Sequence, residues 1–490
     1  MALKGAAMAQ KKSLKLNFIM NAILTMSSFL FPLISFPYVS RILGPEGTGR
    51  VDFATSLIAY FLMFAQLGIP TYGVRACAKV RDDKQLLTKT AQELLIINLV
   101  MSVLAYAVLA LGLLFVPRLR QDRLLYILVS LTIIFNTIGM EWLYKALEQY
   151  TYIMVRSIVF KFVSLGAMFA LVNSRDDYVI YGGITILASS ASYLMNFFHA
   201  RKYISLRPVG GYEFKPHLKA VMVFFAMACA TTVYTNMDKV MLGVMATDVD
   251  VGYYGAASRI KSILVSIVTS LGTVLLPRAS YYVQQGKMEE FRKISRKALN
   301  FVVVAAVPMT LYFILFARQG ILLLSGEEYL GAVGPMQLIM PTLLFIGLTN
   351  ILGIQILVPT GREKMVLYSV IVGAVTDVIC NLLLIPKYLA AGAAMSNMIA
   401  EAAVLVFQTV ALRREVGSAF RTIAYWKVAL GLAAGTAASV WVMGLGLGSF
   451  TALVLSACLF FGAYALVLLV TKEQLVREVL GQFLGKFKKK

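Results

Sequence analysis

Of 490 residues, 59% are hydrophobic and 14% charged, against about 45–50% and about 25% in an ordinary soluble domain, which excludes a water-soluble globular protein. A mean hydropathy of +0.77 with 36 Gly and 13 Pro also excludes disordered and collagen-like chains, and leaves a polytopic membrane protein. The formal charge of +22, a nucleic-acid signature in a soluble protein, reads here as cytoplasmic loops, so no nucleic-acid partner is expected. Cys77, Cys229, Cys380 and Cys458 are scattered singly, without the spacing of a disulfide framework or a metal site.

A helix that crosses a bilayer needs about 20 mostly apolar residues, and fourteen such runs follow one another along the chain. They lie near residues 16–38, 51–74, 91–116, 123–144, 150–172, 178–199, 219–244, 252–277, 298–320, 332–358, 365–385, 389–411, 426–446 and 450–470, and are spans 1 to 14 below. The first follows Lys11, Lys12 and Lys15 as a signal peptide would, but it is too long and lacks a small-residue cleavage site, so it reads as an uncleaved helix. Pro32 and Pro37 in span 1, Pro308 in span 9, and Pro335 and Pro341 in span 10 each delete a backbone hydrogen bond and predict kinks. After span 14, Val476, Val479, Leu480, Phe483, Leu484 and Phe487 share a face opposite Lys472, Arg477, Gln482 and Lys486, the pattern of a basic amphipathic helix on a membrane surface.

Lys and Arg segregate between alternate connections. Of 46, 34 fall at the N-terminus, in the tail and near residues 75–89, 145–156, 201–219, 278–297, 362–364 and 413–427, and only eight on the other side. The positive-inside rule makes the first side, with both termini, cytoplasmic. Four cations remain within spans: Lys161, Lys239, Arg259 and Lys261.

The chain also repeats itself. Asn136-Thr-Ile-Gly139-Met-Glu-Trp-Leu143 returns as Asn350-Ile-Leu-Gly353-Ile-Gln-Ile-Leu357, Tyr178 with Gly182 as Tyr388 with Gly392, and Leu43-Gly44 ahead of Gly49 as Leu242-Gly243 ahead of Gly252. Six spans separate the copies, and an even number makes the halves parallel. The expected organisation is an all-α membrane protein with fourteen transmembrane helices. It has an N-lobe over 1–200 (spans 1–6), a cytoplasmic linker over 201–218 and a C-lobe over 219–412 (spans 7–12). Spans 13 and 14 follow over 413–471, and an amphipathic cytoplasmic tail over 472–490.

An ionisable group at membrane depth costs at least about 2.5 kcal/mol and normally faces a protein interior or a wet cavity. Lys161, mid-way along span 5, reads as anion-facing rather than as half of a packing pair. Asp377 in span 11 and Glu401 in span 12 read equally as helix-to-helix hydrogen bonds and as sites for a coupling H⁺ or Na⁺. Asp238, Lys239, Arg259 and Lys261 lie nearer the outer side. Residues two apart on a helix diverge by about 200°, so only one of Arg259 and Lys261 faces a shared cavity, and the bidentate guanidinium favours Arg259. Arg41, Arg50 and Asp52 flank the first outer loop. Glu141 and Lys145, four apart, predict an ion pair. The two histidines, His199 and His217, carry no paired carboxylate motif. The sequence contains no GxxxxGK[ST] and no loop large enough for a catalytic domain, which argues against an enzyme and against ATP or any other cofactor.

Three stretches carry a family resemblance. They are Ser40-Arg-Ile-Leu-Gly-Pro-Glu-Gly-Thr-Gly-Arg50 with Leu67-Gly-Ile-Pro-Thr-Tyr-Gly-Val-Arg75; Asp238-Lys-Val-Met-Leu-Gly243 with Val251-Gly-Tyr-Tyr-Gly-Ala-Ala-Ser-Arg-Ile260; and Gln355-Ile-Leu-Val-Pro-Thr-Gly-Arg362 with Leu384-Ile-Pro-Lys-Tyr388. The chain resembles the Wzx-type flippases, the polysaccharide transporter branch of the MOP superfamily, departing from the pattern at Leu389, where glycine is usual, and at Asp377, where an amide is common. The resemblance implies a MATE-like fold of two lobes around a central cavity, alternating access, and a bacterial plasma-membrane location. The implied substrate is an undecaprenyl-diphosphate-linked oligosaccharide for O-antigen or capsule, with membrane lipids, a polysaccharide polymerase and glycosyltransferases as partners. Lys161, Arg259, Lys239 and Lys261, with Arg41 and Arg50 near the outer exit, are then candidates for holding the diphosphate. A lipid II flippase and a MATE-like drug/cation antiporter are the alternatives.

Overall fold

The computed structural model describes residues 2–413, 415, 419–420 and 423–473, and every regular element among them is helical. A bilayer leaves no water to satisfy backbone groups, so each segment must close its own hydrogen bonds, which a helix does. The expected amphipathic tail lies, from residue 474 on, outside the described residues.

Among the described residues nine helices are long and apolar enough to cross a membrane, or eleven if two bent pairs each count as one. The difference from fourteen lies in how breaks are counted. Met26–Lys79 and Glu363–Ala411 each carry two expected spans, divided at Gly44 (φ 66°, ψ −179°) and at Leu389 (φ 52°, ψ −128°). Span 4 is the shorter helix Arg123–Gly139. Pro341 occupies the 45° bend between Glu327–Ile339 and Thr342–Leu357, as its missing donor predicts.

Both copies of the internal repeat fall on helix irregularities. Arg123–Gly139 stops at Met140, in left-handed conformation, and the chain resumes as Glu141–Ala146; in the second copy Ile351–Leu357 is a π-helix, a form concentrated at functional sites.

The chain divides into two compact units, one up to Val240 and one from Met241, so the helix Phe214–Met245 begins in the first and ends in the second. The first unit has a core of Ile69, Cys77, Leu94, Leu143 and Ala200. In the second, Leu299, Val302, Ile351 and Leu357 form the core. Tyr464 Oη donates to Val304 O at 2.9 Å, and Tyr312 Oη to Leu453 O at 2.8 Å, docking Ser449–Val470 against Met288–Leu315.

Residues 201–217 are strapped to the first unit. Gln92 Nε2 donates to Ser205 O and Arg207 O, both at 2.8 Å, while its Oε1 accepts from Val209 N (3.3 Å) and Tyr212 Oη (2.8 Å), which uses the whole capacity of one amide. Glu93, 3% exposed, accepts from Glu213 N at 2.7 Å and lies 2.8 Å from His217 Nε2. Tyr72 Oη meets the other nitrogen of that ring at 2.8 Å. His217 therefore has a carboxylate partner after all, supplied by a residue 124 positions away.

Candidate functional site

Helix Tyr150–Leu171 buries Ile153, Arg156, Ser164 and Met168. Lys161 stands three residues before Ser164 and seven before Met168, so it shares their face, half-buried. Its Nζ donates to Ser27 Oγ at 2.8 Å and Ser28 Oγ at 2.9 Å. Among the described residues no carboxylate reaches it. Two neutral hydroxyls take two of its three donors and leave its charge uncompensated.

The remaining first-unit candidates differ. Arg50 donates to Glu46 Oε1 (2.7 Å), Asp122 Oδ1 (3.4 Å) and Tyr178 Oη (3.2 Å), and lies 5.0 Å over the Tyr178 ring. Lys239 Nζ lies 3.3 Å from Asp52 Oδ2, which ties Phe214–Met245 to span 2. Protein carboxylates thus hold both. Arg41 is exposed and donates to Pro37 O within its own helix.

Sequence reasoning missed Arg156, placing it among the connection cations. Its side chain is 1% exposed, 3.2 Å from Glu141 Oε2, hydrogen-bonded to Asn196 Oδ1, and 4.8 Å over the Tyr193 ring. Glu141 also takes the expected partner, Lys145, at 2.7 Å. One buried cation thereby ties spans 4, 5 and 6 beside the Met140 break, and no local spacing announces partners from three helices.

In the second unit the buried layer is acidic. Gln408 Nε2 donates to Ser369 Oγ at 2.9 Å, so Glu363–Ala411 doubles back at Leu389. Ser369, Gly373, Asp377, Asn381 and Ile385, every fourth residue, are buried on one side of the turn, and Asn397, Ala400, Glu401 and Gln408 on the other. Eight residues, about 12 Å of rise, separate Ser369 from Asp377 and Gln408 from Ala400. Asp377 (1% exposed) and Glu401 (5%) consequently lie at the same level. Lys261 reaches this layer, Nζ to Asn397 Oδ1 at 3.0 Å, four residues from Glu401. Arg259 is half-buried and projects about 200° away from Lys261. Two carboxyls, two amides and one ammonium in an enclosed layer form an arrangement that can exchange a proton or a monovalent cation. Among the described residues no three His, Cys, Asp or Glu side chains are grouped to hold a metal ion.

The pattern of the polysaccharide biosynthesis protein family matches residues 14–283, more than half of the chain. The chain belongs to this family. The MatE pattern matches residues 224–383, which places it in the MOP superfamily: it is a membrane transporter, not an enzyme. A protein of Escherichia coli (strain K12) named "Putative O-antigen transporter" is 24% identical over 72% of this chain and 86% of its own length. One of the same name from Shigella dysenteriae is 23% identical over 82% of this chain and all of its own. Among solved structures, the lipid II flippase MurJ in an inward closed conformation superposes with a TM-score of 0.71 at 14% identity, covering 94% of this chain and 100% of that one. An inward-facing multidrug MATE transporter gives 0.62 at 14%, covering 83% and 100%. These two likenesses establish the transporter's fold and carry no substrate.

Proposed function

We propose that the transporter flips an undecaprenyl-diphosphate-linked oligosaccharide from the inner to the outer leaflet of the bacterial plasma membrane by alternating access, with both termini cytoplasmic. Such a lipid has a head that hydrocarbon rejects and a tail that need not leave it, so its carrier needs a wet path with fixed cations for the diphosphate. The observation that carries this reading is Lys161: an ammonium at membrane depth held by Ser27 and Ser28 and by no described carboxylate is oriented for an anion but not neutralised. Arg259, in the second unit, carries the planar guanidinium suited to bidentate contact with a diphosphate. Lys239 and Arg50 join only when phosphate oxygens displace Asp52, Glu46 and Asp122 from them, and Arg41 lies at the exit.

Asp377 and Glu401, with Lys261 beside them, bind the coupling H⁺ or Na⁺. Glycosyltransferases supply the substrate and a polymerase consumes it. The homologues named as O-antigen transporters support this substrate class.

Proteoliposomes loaded with a fluorescent diphosphate-linked oligosaccharide test the reading. Lys161→Ala lowers flipping at least tenfold, with unchanged folding yield, and Lys161→Arg retains most of it. Equal flipping by wild type and Lys161→Ala overturns the assignment. Movement of an organic cation by both, with no lipid flipping by either, selects the antiporter.

A further inference from the structure

Two separate basic segments of the second unit meet at one notch of about 90 Å³ at the start of Met288–Leu315. Arg292 and Arg296 come from its first turns and Arg362 from the connection after span 10, and the floor is apolar, with Phe291, Leu299 and Ile356. Among the described residues Glu415 is the lone carboxylate lining it, 3.1 Å from Arg362 Nη1. Arg292 is exposed and pairs with no carboxylate among the described residues. An apolar floor beneath a guanidinium rim, at the end of membrane-crossing helices, matches one kind of molecule: a phosphate group with a hydrocarbon chain attached.

We propose that this notch binds the headgroup phosphate of an anionic phospholipid, independently of the flipped substrate. The rim arginines donate charge-assisted hydrogen bonds to the phosphate oxygens, and the acyl chain follows the apolar floor into the bilayer. A basic pocket between helices at a membrane surface is built for such a headgroup. The chain's own tail is excluded by charge, because Arg477, Lys486, Lys488, Lys489 and Lys490 make it basic. The site binds from whichever leaflet adjoins it, so it stands or falls separately from the proposed orientation and transport.

The test titrates the purified full chain in neutral detergent with phosphatidylglycerol, phosphatidylcholine or inorganic phosphate and reads the thermal unfolding midpoint. Phosphatidylglycerol raises the wild-type midpoint by several degrees and phosphatidylcholine does not. In R292Q/R296Q the phosphatidylglycerol needed for half of that shift rises about tenfold, and R292K/R296K restores most of it. Arg292→Gln alone, which removes no protein ion pair, gives an intermediate value and guards against a misfolded double variant. Equal shifts in wild type and R292Q/R296Q, or no preference for phosphatidylglycerol, overturn the proposal. A full shift with inorganic phosphate overturns the lipid in favour of free phosphate.

Discussion

The two units carry one repeat, and the charges beside it are met differently in each. In the first, a buried arginine braces three helices and a lysine donates to two serines. In the second, Asp377 and Glu401 are buried on the two arms of one helical turn, with Lys261 on Asn397. The breaks diverge as well: Met140 interrupts one copy with a single left-handed residue, followed by charged Glu141, whereas Ile351–Leu357 winds as a π-helix around neutral Gln355. Each copy keeps an irregularity at the same place in the sequence but surrounds it with different chemistry. The backbone yields at the same place in both copies of the repeat, while the side chains around it differ: Glu141, paired with Lys145 and Arg156, in the first, and neutral Gln355 in the second.

The largest effect that tests this contrast comes from Arg156. Its guanidinium is enclosed, so Arg156→Ala leaves Glu141 and Asn196 without their partner and costs about 3–5 kcal/mol. The expected outcome is a steep fall in folding yield and unfolding midpoint. Retained stability would mean that Lys145 and Tyr193 suffice for Glu141, and that the first unit has no buried cationic brace.

Next in size is the acidic layer. Asp377→Asn with Glu401→Gln should leave lipid-headgroup binding intact and abolish the response of flipping to imposed proton and sodium gradients, about a tenfold effect at a fixed gradient. Lys261→Ala should change that response only two- to threefold, since it leaves both acids in place. A double variant with undiminished gradient dependence removes the cation-binding role and leaves the acids as helix braces.

How much of this was legible in the sequence follows from range. The fourteen apolar runs and the Pro341 bend were readable because hydrocarbon forces each segment to satisfy its own backbone. The Glu141–Lys145 pair was readable because its partners are one turn apart. Lys239 with Asp52, His217 with Glu93 and Arg156 with Asn196 were not, since 187, 124 and 40 residues separate the partners. The long Gln92 clasp escaped for the same reason, and a segment that reads as a loose linker is a fixed strap.

The smallest effect lies at the corner where the halves differ most simply. Between spans 5 and 6 the first unit inserts a short loop, in which Asp177 accepts from Asn173 N at 2.9 Å and Ser174 N at 2.7 Å. The second unit turns on Leu389 alone, at φ 52° and ψ −128°, a conformation that costs a residue with a Cβ about 1–3 kcal/mol. Gly392, three residues on, permits the turn to be this tight, because a Cβ there would meet Leu384 O at 2.4 Å. The Leu389 side chain is 45% exposed and loses little burial on removal, so the strain relieved by Leu389→Gly exceeds the added backbone entropy of glycine, about 0.5–1 kcal/mol. The unfolding midpoint should rise, by about 1 kcal/mol of stability, whereas Leu389→Ala, which keeps the Cβ, should give no gain. If alanine and glycine stabilise equally, the side chain rather than the backbone is at fault, and the one-residue corner is not the strained counterpart of the first unit's loop.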